Sequence, residues 1–175
     1  MRKRISAENN ASFSAEEKRR RVFQRALKLL TAKPRSVAEL RERLLERRDA
    51  TRLIVEEVIS RLREYGYLDD ERYAFGYASL RVKQKPLGRR RLERDLMLKK
   101  VDAKVADEAL DLVFKEAPED ELIERAIERR VRLRGRPETR EEARKLFDHL
   151  LRQGFDFELV SEKVRRVSRN IEDDT

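Results

Sequence analysis

Apolar residues recur along this chain at helical spacing almost throughout, and alternating strand-like runs are rare. The pattern repeats three times. Pro34, Pro86 and Pro137 each stand a few residues ahead of a leucine ladder, Leu40-Leu44, Leu92-Leu96 and Leu146-Leu150. After each ladder comes a residue suited to cap a helix N-terminus: Thr51, Asp102 and Asp156. A candidate hydrophobic staple flanks each cap, pairing Ala50 with Val55, Val101 with Ala106 and Phe155 with Val160. A second apolar stripe follows at constant spacing. It reads Ile54-Val58-Ile59-Leu62, then Val105-Ala109-Leu110-Val113, then Leu159-Lys163-Val164-Val167.

This is an internal repeat of about fifty residues in three copies, each predicting three helices. The expected helices are 15–32, 37–48 and 52–65, then 70–84, 88–99 and 103–114, then 119–134, 140–153 and 157–169. Ser14-x-x-Glu17, Ser36-x-x-Glu39 and Thr139-x-x-Glu142 are capping boxes that fix three of the starts. Gly66 suits a left-handed helix end, and Asp69 the next N-cap, with Asp70 and Glu71 favourable in the first turn. Leu68 and Tyr73 sit at staple spacing around that cap, so residues 65–70 predict a tight elbow between the first two copies.

The expected architecture is all-α, three tandem three-helix repeats in an elongated, curved array. Its parts are a basic, flexible segment 1–13, repeats over 14–68, 69–117 and 118–169, and an acidic tail 170–175. Composition agrees with that reading. Of 175 residues, 39% are hydrophobic and 45% charged, a lean core under much surface, which suits small stacked units better than one sphere. No apolar run approaches the ~20 residues of a membrane span, and no apolar segment follows the basic start Met1-Arg2-Lys3-Arg4. A cytoplasmic monomer is expected.

The formal net charge of +9 favours an anionic partner. Between Arg81 and Lys100 lie nine Lys or Arg and only two acids, Glu93 and Asp95. Lys83, Lys85, Arg89, Arg90, Arg91 and Arg94 are the candidate binding residues. Arg90, Arg91 and Arg94 neighbour one another on a helix whose buried stripe is Leu92 and Leu96. Gly88 at that helix start is expected to leave backbone N–H groups open to an anion. The stretch from Glu124 to Lys145 mixes both signs and reads as a salt-bridged surface.

Catalysis has little to work with. There is no cysteine, no phosphate-binding glycine loop and a single histidine, His149, beside Asp148 on an expected helix. Asp69 and Asp70 diverge on a helix by about 100° and read as capping residues rather than a metal pair. No enzyme, metal or cofactor is expected. Tyr65, Tyr67, Tyr73 and Tyr77 read as elbow packing rather than base stacking, and Phe23, Phe114 and Phe147 as core.

Several of these segments match a known pattern. Ala26-Leu27-x-Leu29-Leu30 followed by Ser36-x-x-Glu39-Leu40 resembles the opening of the RecX family. Gly66-Tyr67-Leu68-Asp69-Asp70-Glu71-Arg72-Tyr73-Ala74 resembles its most distinctive stretch, and Gly88-x-x-Arg91-Leu92-x-x-x-Leu96 the next. The resemblance spans about residues 22–169. It implies a modular chain that binds the filament of a RecA-like recombinase and restrains filament growth, ATP hydrolysis and strand exchange in recombination, DNA repair and the SOS response. DNA, single- or double-stranded, is the expected secondary contact. The chain departs from the family where Asp49 and Lys100 replace a usual glycine, which only Gly154 keeps, and where Tyr73 stands for a common Phe. Without the resemblance, a general nucleic-acid-binding module and a structural helical scaffold remain open.

Overall fold

The structure, a computed structural model, describes residues 14–48 and 50–168; among them are nine helices and no strand. They are α1 (Ala15–Ala32), α2 (Val37–Leu45), α3 (Arg52–Glu64), α4 (Asp70–Gln84), α5 (Arg89–Leu98), α6 (Ala103–Glu116), α7 (Glu119–Arg134), α8 (Arg140–Gln153) and α9 (Phe157–Val167). The expected basic segment 1–13, the acidic tail 170–175 and Asp49 lie outside the described residues.

The starts follow from local chemistry. Ser14, Ser36 and Thr139 each accept a hydrogen bond from the backbone N–H three residues on, and the glutamate there accepts one in return from the cap N–H. Thr51, Asp102 and Asp156 cap α3, α6 and α9. Three ends fall two or more residues from expectation, among them that of α9, at Val167 rather than 169. Helix α2 stops at Leu45, and the chain leaves through turns in which the Ala50 N–H bonds the Arg47 carbonyl. Helix α6 runs on to Glu116, until Pro118 forces Ala117 out of helical geometry, at φ −133° and ψ 85°.

Packing divides the chain between Asp69 and Asp70. In the first unit, α1–α3 enclose a core in which Leu40, Leu44, Val55 and Leu62 are fully buried and Leu68 is nearly so. In the second, α4–α9 bury one continuous core, running from Ala74 and Leu92 through Leu110 and Ile123 to Leu150 and Val164. The second and third repeats thus share an interior. They join where the Gly88 N–H bonds the Gln153 carbonyl at 3.0 Å and the Arg90 N–H bonds the Gly154 carbonyl at 3.1 Å. A Cβ on Gly88 would collide with Gly154 and the Phe155 nitrogen, so glycine is needed for the close approach.

Lys163 sits in the third apolar stripe, yet it is 4% exposed. Its ammonium bonds Asp120 at 2.7 Å and Glu124 at 2.6 Å, tying α9 to α7. Desolvation opposes the charge, but the two carboxylates outweigh it and raise the pKa above the ordinary lysine value. Phe23, Phe114 and Phe147 are half-buried at the edges of the cores.

Helices α3, α5 and α8 all end in a left-handed residue whose neighbours close the same pair of backbone bonds. Around Gly66 (φ 69°) these are Gly66 N–H to Arg63 and Tyr67 N–H to Leu62. At the end of α5 the position belongs to Lys100, at φ 57°, with bonds to Met97 and from Val101 to Leu96. A lysine there takes the left-handed conformation that glycine takes at Gly66 and Gly154. A side chain at such φ costs about 1 kcal/mol. Lys100→Gly is therefore expected to stabilise the fold by about 1 kcal/mol, and Gly66→Val to destabilise it by about 1 kcal/mol or more. Urea unfolding of both variants checks the pair; equal midpoints for parent and variants would contradict it.

Candidate partner-binding face

Helix α4 ends at Gln84, and Pro86 and Leu87 bury the link that carries the chain to α5. Leu92 and Leu96 are fully buried, so α5 turns Arg90, Arg91 and Arg94 outward, as the spacing predicts. Lys83 and Lys85 are also exposed. Lys83, Lys85 and Arg94 form no ion pair among the described residues; Arg94 bonds only the Arg90 carbonyl, at 3.3 Å.

The other arginines are engaged within the fold. Arg90 pairs with Asp156 at 2.6 Å and Arg91 with Asp95 at 3.1 Å, both arginines well exposed. The Arg90–Asp156 pair is exposed at both ends and contributes ~0–1 kcal/mol, so a partner's carboxylate or phosphate exchanges with it readily, whereas Arg91 rests on a largely buried carboxylate. Arg89 differs. It is half-buried and reaches Glu93 at 3.2 Å, Asp107 at 2.5 Å and Asp111 at 2.8 Å. Desolvation works against its charge, yet the bonds to Asp107 and Asp111 raise its pKa. Arg89 clamps α5 to α6, which removes it from the presenting set.

The anion site expected at the α5 N-terminus is filled from within. The Arg89 N–H donates to Glu119 at 2.9 Å, and those of Gly88 and Arg90 go to carbonyls of the third repeat. Burial raises the Glu119 pKa, partly opposed by the Arg89 N–H. No foreign anion is needed there, which corrects the expectation drawn from Gly88. Glu119 lies 30 residues from Arg89, and nothing in the local sequence marks the pair.

Asp95 is the hub beneath the face. Its side chain is 11% exposed and accepts from Arg91, from Arg81 at 3.4 Å and from the Tyr77 hydroxyl at 3.4 Å. Desolvation, then the Asp95 charge, raises the Tyr77 pKa. The elbow tyrosines separate into two pairs. Tyr65 and Tyr67 are exposed, edge-to-face with each other, and Tyr65 also meets Phe23, with Arg61 over both the Phe23 and Tyr65 rings. Tyr73 stacks on Tyr77 against the second core. Leu68 packs in the first core and Tyr73 against the second. Asp69 directly precedes α4, Asp70 opens its first turn and Arg72 is exposed.

Among the described residues no group of His, Asp and Glu is placed to hold a metal ion, and no helix is long and apolar enough to cross a membrane.

Sequence profiles for the first, second and third three-helix domains of RecX match residues 23–62, 69–110 and 118–164. The regulatory protein RecX of Chlorobium limicola is 35% identical over 143 residues, covering 81% of this chain and 86% of that protein. The regulatory protein RecX of Bacillus subtilis is 29% identical over 153 residues, which cover 87% of this chain but 57% of that longer protein. A crystal structure of RecX from Lactobacillus salivarius superposes with a TM-score of 0.77 at 20% identity, covering 87% of this chain and 97% of that one. At that identity the likeness is one of fold.

The Asp95 hub gives a direct test of the geometry. Asp95→Ala strands Arg81 and Tyr77 and is expected to cost about 2–3 kcal/mol of unfolding free energy. Arg94→Ala, with no carboxylate partner, is expected to cost less than about 0.5 kcal/mol. Chemical denaturation measures both; equal small losses would mean that Asp95 anchors nothing.

Proposed function

The chain belongs to the RecX family of regulatory proteins, and from that membership we propose that it binds the filament of a RecA-like recombinase and restrains ATP hydrolysis and strand exchange. The observation that carries the site is the outward row Arg90, Arg91 and Arg94 on α5, with Lys83 and Lys85 on the preceding segment. Lys83, Lys85 and Arg94 form no ion pair among the described residues, Arg90 is held by an exposed pair and Arg91 by Asp95, and the opposite side of α5 is locked into the core. Charge-assisted contacts to acidic side chains of a filament subunit are what such a face makes best. DNA is a secondary contact in this reading, and the regulator is non-catalytic.

The test is binding to a recombinase filament on single-stranded DNA, with naked DNA run beside it. Arg91→Glu with Arg94→Glu is expected to keep the fold. Arg91→Glu removes one of three donors to the part-buried Asp95 and sets a like charge one turn away, at a cost of about 1–2 kcal/mol, while Arg81 and Tyr77 still hold that carboxylate. Filament affinity is expected to fall about tenfold or more, with a flatter salt dependence, if each arginine loses a charge-assisted contact of roughly 1.5–3 kcal/mol. Unchanged filament binding and recombinase inhibition by a folded double variant would contradict the site. Loss of naked-DNA affinity alone would favour a general nucleic-acid-binding module.

A further inference from the structure

A second basic surface lies on the third repeat, and its charges are arranged differently. The stretch from Glu124 to Lys145 reads from sequence as a salt-bridged surface. In the structure Glu141 does pair with Lys145 inside the stretch, but Glu124 is taken by Lys163 of α9. The arginines of α7, from Arg125 to Arg134, form no ion pair among the described residues.

Two of them converge on a pocket. Arg129 and Arg130 of α7 face His149 of α8 and Lys85 of the α4–α5 link across a concavity of about 210 Å³. No carboxylate lines it. Pro86 and Leu133 supply an apolar edge, and Leu133 is 72% exposed. Like charges gathered without a counter-ion repel one another, and the conformation that holds them favours a ligand of more than one negative charge. A phosphate meets that requirement better than a single carboxylate, and guanidinium forks match its oxygens. The apolar edge suits the sugar or base that such a phosphate carries. We propose that this pocket binds a phosphate group borne by a nucleotide or a nucleic-acid strand, through Lys85, Arg129 and Arg130.

His149 gives the site a pH dependence. Burial, and then the charges of Arg130, Arg152, Lys85 and Arg134, lower its pKa below the usual histidine value, so the ring is neutral near neutral pH when no anion is bound. Its other close polar neighbour is the Gln153 amide, at 3.4 Å. A bound phosphate offsets the surrounding positive charge and favours the protonated ring. Binding therefore tightens as pH falls through the histidine range. The pocket shares only Lys85 with the α5 face, and its test needs no recombinase.

The experiment is anisotropy of a labelled oligothymidylate titrated with the full chain. Arg129→Gln with Arg130→Gln is expected to weaken binding about tenfold or more. A control with the same charge change elsewhere, Arg63→Gln with Arg165→Gln, is expected to weaken it less than about threefold. Parent affinity rises from about pH 7.5 to about 5.5, where phosphodiesters do not titrate, and His149→Gln flattens that rise. Unlabelled dTMP competing at concentrations near its strand equivalent identifies a mononucleotide as the source; competition by the strand alone identifies the backbone. Either supports a phosphate pocket. Equal losses in pocket and control variants, or oligoglutamate competing as well as the oligonucleotide, would overturn it.

Discussion

Two bare stretches of backbone touch where Gly88 meets Gly154, and the second unit is organised around that contact. Neither glycine tolerates a Cβ: one on Gly88 would strike the Gly154 carbonyl, and one on Gly154 would strike Arg91. The contact lets the first N–H groups of α5 take their acceptors from the end of α8 and from Glu119. It also sets the register of the second and third repeats, so that Leu92, Leu110, Ile123, Leu150 and Val160 bury into one core. Once α5 is pinned at its start and buried along Leu92 and Leu96, the outward direction of Arg90, Arg91 and Arg94 is determined.

Charge is distributed over that scaffold in three ways. Arg89, half-buried, and Lys163, almost fully buried, are clamps, each held by two or more carboxylates. Breaking such a clamp strands a poorly hydrated charge, so these residues serve the fold. Arg90 is held loosely at the surface, which suits exchange for a partner's groups, and Arg91 reaches the surface from the part-buried Asp95. Lys85, Arg129 and Arg130 face one another across a pocket with no carboxylate in its wall. The net charge of +9 therefore understates how unevenly the uncompensated cations are placed.

Much of this is legible in the sequence because it is local. Capping boxes at Ser14, Ser36 and Thr139, caps at Thr51, Asp102 and Asp156, and three leucine ladders place the helices to within a few residues. Phase between Leu92, Leu96 and the arginines also places the outward face. Long-range features are not legible. The fusion of two repeats into one core rests on residues far apart in the chain, and Gly88 alone suggests an open anion site rather than one already filled. Lys163 looks like an interruption of an apolar stripe until Asp120 and Glu124 close over it from another helix. Alternating signs between Glu124 and Lys145 suggest mutual pairing, but composition cannot say which acid a distant lysine takes. Lys100 is instructive in the other direction. The missing glycine suggests altered geometry, yet the positive φ persists because the hydrogen bonds around it demand it.

The central claim is that the second and third repeats are one cooperative body locked at Gly88 and Gly154. Native-state hydrogen exchange on the intact chain tests it most directly. The account predicts that the Gly88 and Arg90 amides, and core amides of α6 and α9, open together with one free energy and one denaturant dependence. Exchange of α7–α9 at markedly lower free energy than α4–α6, with the Gly88 and Arg90 amides unprotected, would contradict it.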